Sequence, residues 1–163
     1  MPVRIRKMTI YEFENFCRWS VEQQAAELME EYRMSREEAV KKAGEEVMQM
    51  LPGGLRTPHH NLMTIEETDT GENVGFIWTI YEETDGRKQS FVCDFAIWET
   101  KRRKGYAAAA LRMAEENAAE SGCSESVLFV ADRNGAARAL YRKCGYQFLR
   151  PAGYGKYLVK QLY

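Results

Sequence analysis

The feature that most constrains this chain is a change of hydrophobic period. Residues 73–82 and 89–98 are rich in apolar and β-branched side chains, and the Asp85-Gly86 dipeptide between them is a hairpin signal. Residues 105–119 then place Ala107, Leu111, Ala114 and Ala118 on one helical face, and Val127–Val130 is again a short buried strand. A strand, a helix and a strand over 91–130 require a crossover, and a crossover requires a parallel pair. The chain must therefore build a mixed sheet with a parallel pair in its middle.

The flanking segments fill in around that unit. Val3, Ile5 and Lys7 alternate with Arg4, Arg6 and Met8 as a short strand, and Thr9 precedes a long amphipathic helix carrying Phe13, Phe16, Cys17, Val21, Leu28 and Tyr32. Ser35-Arg-Glu-Glu38 has the form of a capping box and opens a second helix, which Pro52-Gly-Gly54 ends. Residues 52–60 read as a loop and 61–67 as a strand. Beyond the crossover, Asn134–Cys144 is a helix stopped by Gly145, and Tyr146–Leu149 and Lys156–Leu162 close the sheet. The expected fold is α/β, with about seven strands and four helices in the order βααβββαβαββ. No repeat or long linker interrupts it, so residues 1–163 are expected to form one domain.

Composition removes several classes of function. Hydrophobic residues make up 45% and charged residues 29%, which excludes a disordered chain. No apolar run approaches the ~18–20 residues of a membrane span, and the N-terminus lacks an apolar signal core. A cytoplasmic protein without a membrane partner is expected. With 23 basic and 24 acidic residues, nucleic acid is disfavoured as the main partner. Cys17, Cys93, Cys123 and Cys144 have neither disulfide-framework nor metal-ligand spacing and read as small buried hydrophobes.

The segment with chemical content is Trp98-Glu-Thr-Lys-Arg-Arg-Lys-Gly-Tyr-Ala107, which joins a buried strand to the crossover helix. The first turn of a helix leaves N–H groups unpaired and carries partial positive charge, which suits phosphate. Gly105 has no Cβ to keep a ligand from the backbone, Ala107 adds little bulk, and Lys101, Arg102, Arg103 and Lys104 add charge. Taken alone, the charge run fits a solvated basic turn better than a site.

The downstream sequence changes that balance. Arg102-Arg-Lys-Gly105-Tyr-Ala107 has the form Arg/Gln-x-x-Gly-x-Gly/Ala, and Asn134 is followed by Ala139-Leu-Tyr141-Arg-Lys-Cys-Gly-Tyr146. In this element order the two motifs resemble the GNAT family of acyl-CoA-dependent N-acyltransferases. The resemblance spans nearly the whole chain, although residues 9–60 match in element order rather than in motif. It implies acetyl-CoA as cosubstrate, no metal, and a primary amine acceptor on a small molecule or a peptide. It also implies that the central strand and its parallel neighbour splay apart around the pantetheine arm. The main chain of Phe95, Ala96 and Ile97 would pair with the pantetheine amides. The loop formed by Arg102, Arg103, Lys104, Gly105, Tyr106, Ala107 and Ala108 would cradle the pyrophosphate. Asn134 would bind the pantetheine region or cap its helix, and Tyr141 would be the acid beside the departing sulfur.

The base is less determined. Some relatives carry a Glu five residues ahead of the Asn, where this chain has Phe129. Glu82, Glu83, Asp94 and Glu99 are the candidates. Asp94 lies inside an apolar strand that would raise its pKa, and Glu99 ends that strand beside the basic loop. Either carboxylate can act directly or through water. His59 and His60 lack metal partners at ligand spacing but precede a core strand and could line an acceptor cleft, as could Tyr32 and Tyr81. The expected activity is acetyl transfer to an amine by a monomer or homodimer. A non-catalytic acyl-CoA-binding or sensor module is the alternative.

Overall fold

The computed structural model describes residues 2–163. Among them lie seven strands and four α-helices: β1 (Val3–Lys7), α1 (Ile10–Tyr32), α2 (Arg36–Met50), β2 (His60–Glu67), β3 (Asn73–Thr84), β4 (Arg87–Ile97), α3 (Tyr106–Glu120), β5 (Glu125–Ala131), α4 (Gly135–Lys143), β6 (Gln147–Ala152) and β7 (Gly155–Gln161). The expected order holds throughout.

Local chemistry sets the boundaries. Thr9 and Glu12 form a reciprocal capping box, the Thr9 hydroxyl accepting the Glu12 N–H and the Glu12 carboxylate accepting the Thr9 N–H. Ser35 and Asn134 cap α2 and α4 by accepting the N–H groups of Glu38 and Ala137. Asp85 and Gly86 both have positive φ, 53° and 74°, as a two-residue hairpin turn matched to strand twist demands. That tight turn lets each of β3 and β4 run two residues further toward the hairpin end than the apolar pattern alone indicates.

The chain divides into two compact units, one comprising the residues up to Lys7 with His59–Tyr163, the other Met8–Pro58. In the second unit α1 and α2 pack through Ala25, Ala39 and Ala43, all buried, with Val21, Leu28, Met34 and Val40 around them. An exposed Arg36–Glu22 ion pair, at 2.9 Å, joins the same two helices.

The first unit is the sheet, in the order β1-β2-β3-β4-β5-β7-β6. Every neighbouring pair is antiparallel except β4–β5, the parallel pair that the crossover dictates. The crossover helix α3 buries Ala110, Leu111 and Ala114 in a core with Ile65, Ile77, Val92, Ile97, Leu128, Val130 and Leu158. The parallel pairing is short. It joins Gln89–Val92 to Glu125–Leu128 and then stops, whereas β4 continues along β3 to Ile97 and β5 along β7 to Ala131. A β-bulge lies where the two part: Trp78 faces Asp94 and Thr79 faces Val92, so Cys93 is an extra residue with no partner on β3. Bulges bend and twist the strand that carries them. Beyond Cys93, β4 and β5 diverge and leave a wedge between their C-terminal ends.

Candidate active site

The wedge exposes a defined set of main-chain groups. The Trp98 N–H donates to the Val74 carbonyl at 2.9 Å, and antiparallel pairing alternates, so Asp94, Ala96 and Trp98 turn their main-chain groups toward β3. Consistently, a Cβ built on Gly75 of β3 would lie 2.2 Å from the Ala96 carbonyl oxygen. Phe95 and Ile97 therefore direct theirs into the wedge, and Ala96 does not. Both wedge-facing residues already have side-chain partners: the Phe95 N–H donates to Asp94 Oδ1 and Arg102 Nε donates to the Ile97 carbonyl, each at 2.9 Å.

At the open end of the wedge, the basic loop is braced against the β2–β3 turn by three side-chain bonds. Trp98 Nε1 donates to Asn73 Oδ1 and Lys101 Nζ to Glu72 Oε2, both at 2.9 Å, and the buried Tyr106 hydroxyl donates to Glu67. Lys101 is thus spent on a carboxylate. Arg103, Lys104 and Gly105 remain exposed. Arg103 and Gly105 have positive φ, 68° and 78°. Among the described residues no side chain caps α3, whose N-cap is Gly105, so its first N–H groups, on Tyr106, Ala107 and Ala108, point out of the helix end without a side-chain acceptor. That geometry, with a glycine in the left-handed region, makes the loop a candidate anion cradle.

A cavity of about 340 Å³ starts at Ala108, where the cradle ends, and is lined by Ala109, Arg112, Glu115, Lys143, Cys144 and Lys160 as well. Glu115 is neutralised by Lys160 at 2.7 Å. Arg112 and Lys143 leave the cavity net positive. On α4, the Arg138 Nε is buried without a hydrogen-bond partner among the described residues. A buried unsatisfied guanidinium nitrogen one turn from Asn134 suits an anionic ligand.

Tyr141 of α4 packs against the sheet core. Burial pushes its phenol up to about 12, and the Asp94 carboxylate and Cys144 push the same way. At neutral pH it carries its proton. Its ring meets that of Tyr146 edge-on, with centroids 5.8 Å apart. Asp94 lies across from Trp78, and directly paired residues share a face. Phe95 and Ile97 belong to the core face with Tyr141, so Asp94 is on the other face of β4. Asp94 and Tyr141 therefore lie on opposite faces of the sheet.

The remaining candidates are less well brought together. Glu99 is exposed in a short turn after β4. Glu82 and Glu83 are exposed near the far end of β3, and Glu82 accepts from Gln89 at 3.1 Å. Asn134 caps α4 through one side-chain oxygen, which leaves its amide N–H₂ outside that bond. His59 lies outside the strand with φ 68°. His60 Nδ1 accepts from Trp78 Nε1 at 2.9 Å, and burial with nearby His59 lowers its pKa. Among the described residues no group of three or more His, Cys, Asp or Glu is arranged to hold a metal, and no helix is long and apolar enough to cross a membrane. The four cysteines are unpaired. Burial, with Asp94 nearby, drives the Cys93 thiol up to about 12, which makes it a poor nucleophile.

Several contributors were not singled out from the sequence. The bulge at Cys93 leaves no trace in an unbroken apolar run. The Glu67 and Glu72 braces join residues far apart in the chain, and only the turn residues near them hint at proximity. Arg138 carries a basic side chain at a helical spacing from Asn134, a signal that was available.

Comparison with known proteins bears on the family and the fold. The model of the Acetyltransferase (GNAT) family matches residues 22–146. The uncharacterized N-acetyltransferase YdgE of Bacillus subtilis strain 168 is 32% identical over 146 residues, covering 90% of this chain and 92% of that protein. YycN of the same bacterium is 29% identical over 147 residues, covering 90% and 94%. The crystal structure of YycN superposes with a TM-score of 0.82 at 28% identity, over 93% of this chain and 96% of its own. A spermidine N-acetyltransferase from Vibrio cholerae, crystallised with CoA and spermine, matches with a TM-score of 0.72 over 99% of this chain and 96% of its own. Its identity is 14%, so that likeness is one of fold.

Proposed function

This chain belongs to the GNAT acetyltransferase family, and we propose that it moves the acetyl group of acetyl-CoA directly onto a primary amine, with both compact units serving one acyltransferase domain. The observation that carries this is the wedge between β4 and β5, opening beside an uncapped, glycine-started helix. A long, flexible thioester with a pyrophosphate at its far end needs both features at once. The family match across residues 22–146 includes segments of both units, which supports a single functional domain.

The roles follow from what each group presents. The N–H groups of Tyr106, Ala107 and Ala108 receive the pyrophosphate, with Arg102, Arg103 and Lys104 beside them. Arg112 and Lys143, in the cavity beyond Ala108, suit the phosphorylated ribose end. The main chain of Phe95 and Ile97 serves the pantetheine arm. Ala96, whose polar groups turn to β3, contributes strand geometry alone. The Phe95 N–H becomes available once the Asp94 carboxylate turns from it.

In the reaction the amine nitrogen attacks the thioester carbon, a C–N bond forms, the C–S bond breaks, one proton leaves nitrogen and sulfur departs with the electron pair. Asp94 is the better placed base, because it is half-buried on β4 just beyond the point where β5 departs, whereas Glu99 is exposed past the end of the strand. It takes the nitrogen's proton directly or through a water. Tyr141 faces the departing sulfur. A thiol ionises near 8.5, well below a phenol at about 12, so complete proton transfer from Tyr141 to sulfur is uphill. Its work is to donate a hydrogen bond to the developing thiolate.

Thiol release from acetyl-CoA, followed with a chromogenic disulfide across a panel of polyamines, amino acids, aminoglycosides and peptide N-termini, tests this. One or more amines should drive stoichiometric release with acetylated product in the mass spectrum. Acetyl-CoA binding without release by any amine would instead identify a cofactor-sensing module.

A further inference from the structure

Gly145 ends α4 in the left-handed region, at φ 97°. The residue after it, Tyr146, returns its N–H to the Tyr141 carbonyl at 3.0 Å. This is the six-to-one closure of a Schellman motif, in which the residue after the glycine also packs on the residue it bonds. Here the packing partners are two aromatic rings, Tyr141 and Tyr146. Tyr146 therefore holds Tyr141 twice, by main chain and by ring.

Tyr146 is itself fixed from two directions. Its hydroxyl lies 2.7 Å from Ser126 Oγ on β5 and donates to Glu115 Oε2 on α3 at 2.9 Å. Glu115 in turn receives Lys160 Nζ of β7 at 2.7 Å through its other oxygen. Tyr146, Glu115 and Ser126 are 5%, 8% and 2% exposed. Burying a carboxylate is costly unless it is paired and hydrogen-bonded, and an apolar contact would close this core as well. A network that ties α3, β5 and β7 to the helix end bearing Tyr141 has a use that a purely apolar contact lacks. It fixes one ring in angle as well as in depth, because hydrogen bonds are directional and apolar contacts are not.

The geometry points to Tyr146 as a positioning residue: anchored by Ser126 and Glu115, it sets the orientation of the Tyr141 phenol toward the wedge. This rests on the donor role assigned to Tyr141. Tyr146→Phe removes the anchor bonds and keeps both the ring contact and the main-chain closure, so Tyr141 stays in place and loses its angular constraint. Misplacement of a catalytic group by a fraction of an ångström to an ångström costs up to ~10²-fold, and a loss of about tenfold in kcat is expected, with KM for acetyl-CoA unchanged.

The test is a double-mutant cycle of wild type, Tyr141→Phe, Tyr146→Phe and both, with turnover per folded molecule measured under single-turnover conditions. If Tyr146 acts through the Tyr141 hydroxyl, Tyr146→Phe changes the residual rate of Tyr141→Phe by less than about twofold, since coupled residues are non-additive. Should Tyr146→Phe fail to fold, Ser126→Ala in the same two backgrounds supplies the cycle. Equal loss of rate in both backgrounds, or no loss in either, overturns the positioning role. Full single-turnover rate in Tyr141→Phe alone would overturn the donor assignment instead, so the two failures are told apart.

Discussion

Replacing Gly105 with alanine separates two contributions that a glycine at a ligand loop usually confounds. Its φ is 78°, and a Cβ built there has nothing within 4 Å. The free protein therefore meets no clash, and the folding cost is the left-handed backbone alone, about 1–2 kcal/mol for a residue with a Cβ. For a chain of this size each kcal/mol lowers Tm by roughly 2–4 °C, so Gly105→Ala should melt ~2–8 °C lower. That strain is shared by free and bound forms and does not by itself change affinity. Affinity is expected to fall because the methyl group narrows the open space from which a phosphate approaches the first N–H groups of α3. Losing one hydrogen bond to a charged phosphate costs about 1.5–3 kcal/mol, or ~10–150-fold in Kd. Gly105→Asn refines the measurement, because asparagine tolerates positive φ. It should recover part of the Tm without recovering affinity. Calorimetric titration with acetyl-CoA and a thermal melt of each variant give both quantities. A Gly105→Ala protein with lowered Tm and wild-type affinity would remove the loop from the phosphate site. The branched Gly105→Val is a poorer probe, since a β-branched residue at this φ is strained enough to disturb the loop by itself.

Tyr141→Phe should lower kcat by ~10²–10³-fold with little change in acetyl-CoA affinity; near-wild-type turnover with chemistry rate-limiting would refute the donor role. The Tyr141 phenol, raised to about 12, should stay protonated to the alkaline edge of stability. Raised in the fold, it favours the native state only where it is protonated, and that advantage is lost as pH climbs toward 12. In ultraviolet difference titration of wild type against Tyr141→Phe, a tyrosinate missing near pH 10 would contradict this. Asp94→Asn should abolish the acid limb of the kcat/KM profile while Glu99→Gln preserves it; the reverse pattern moves the base to Glu99. Arg112→Ala with Lys143→Ala should weaken binding of CoA toward that of its 3′-dephospho form and leave the dephospho form's Kd unchanged, and an equal loss for both ligands would place the phosphate elsewhere.

What could be read from the sequence was local, and what could not was pairwise. Thr9, Ser35 and Asn134 announce helix starts because a capping side chain bonds a backbone group only two or three residues away. Asp85-Gly86 fixes a hairpin for the same reason. The parallel pair followed from topology alone. By contrast, Phe91-Val-Cys-Asp-Phe-Ala-Ile97 is apolar on both faces but for Asp94, so a shift of side-chain alternation inside it is invisible. Which of Phe95, Ala96 and Ile97 faces the wedge depends on that shift. The Tyr106–Glu67 brace and the Ser126–Tyr146–Glu115 network join residues 39, 20 and 31 positions apart, separations for which one sequence holds no signal. Tyr141 was legible through its motif, whereas its orientation, set by Tyr146, was not.

The unpaired Cys93 also acts as a phase shifter. Val92, Phe95 and Ile97 all lie on the core side of the sheet, although three and five positions separate them and an uninterrupted strand alternates every residue. One additional amino acid resets the count, so the hydrophobic half of β4 stays in phase with α3 both before and after the point where β5 departs. The same reset turns Asp94 outward. Ironing out the bulge with Cys93 kept in regular pairing would exchange the two sides of everything downstream, sending Asp94 into the core and Phe95 and Ile97 out of it, whereas deleting Cys93 would leave those sides as they are and remove only the bend. The proposed base at the wedge thus depends on the parity of a single strand, and a change of register that conserves every side chain would still remove it.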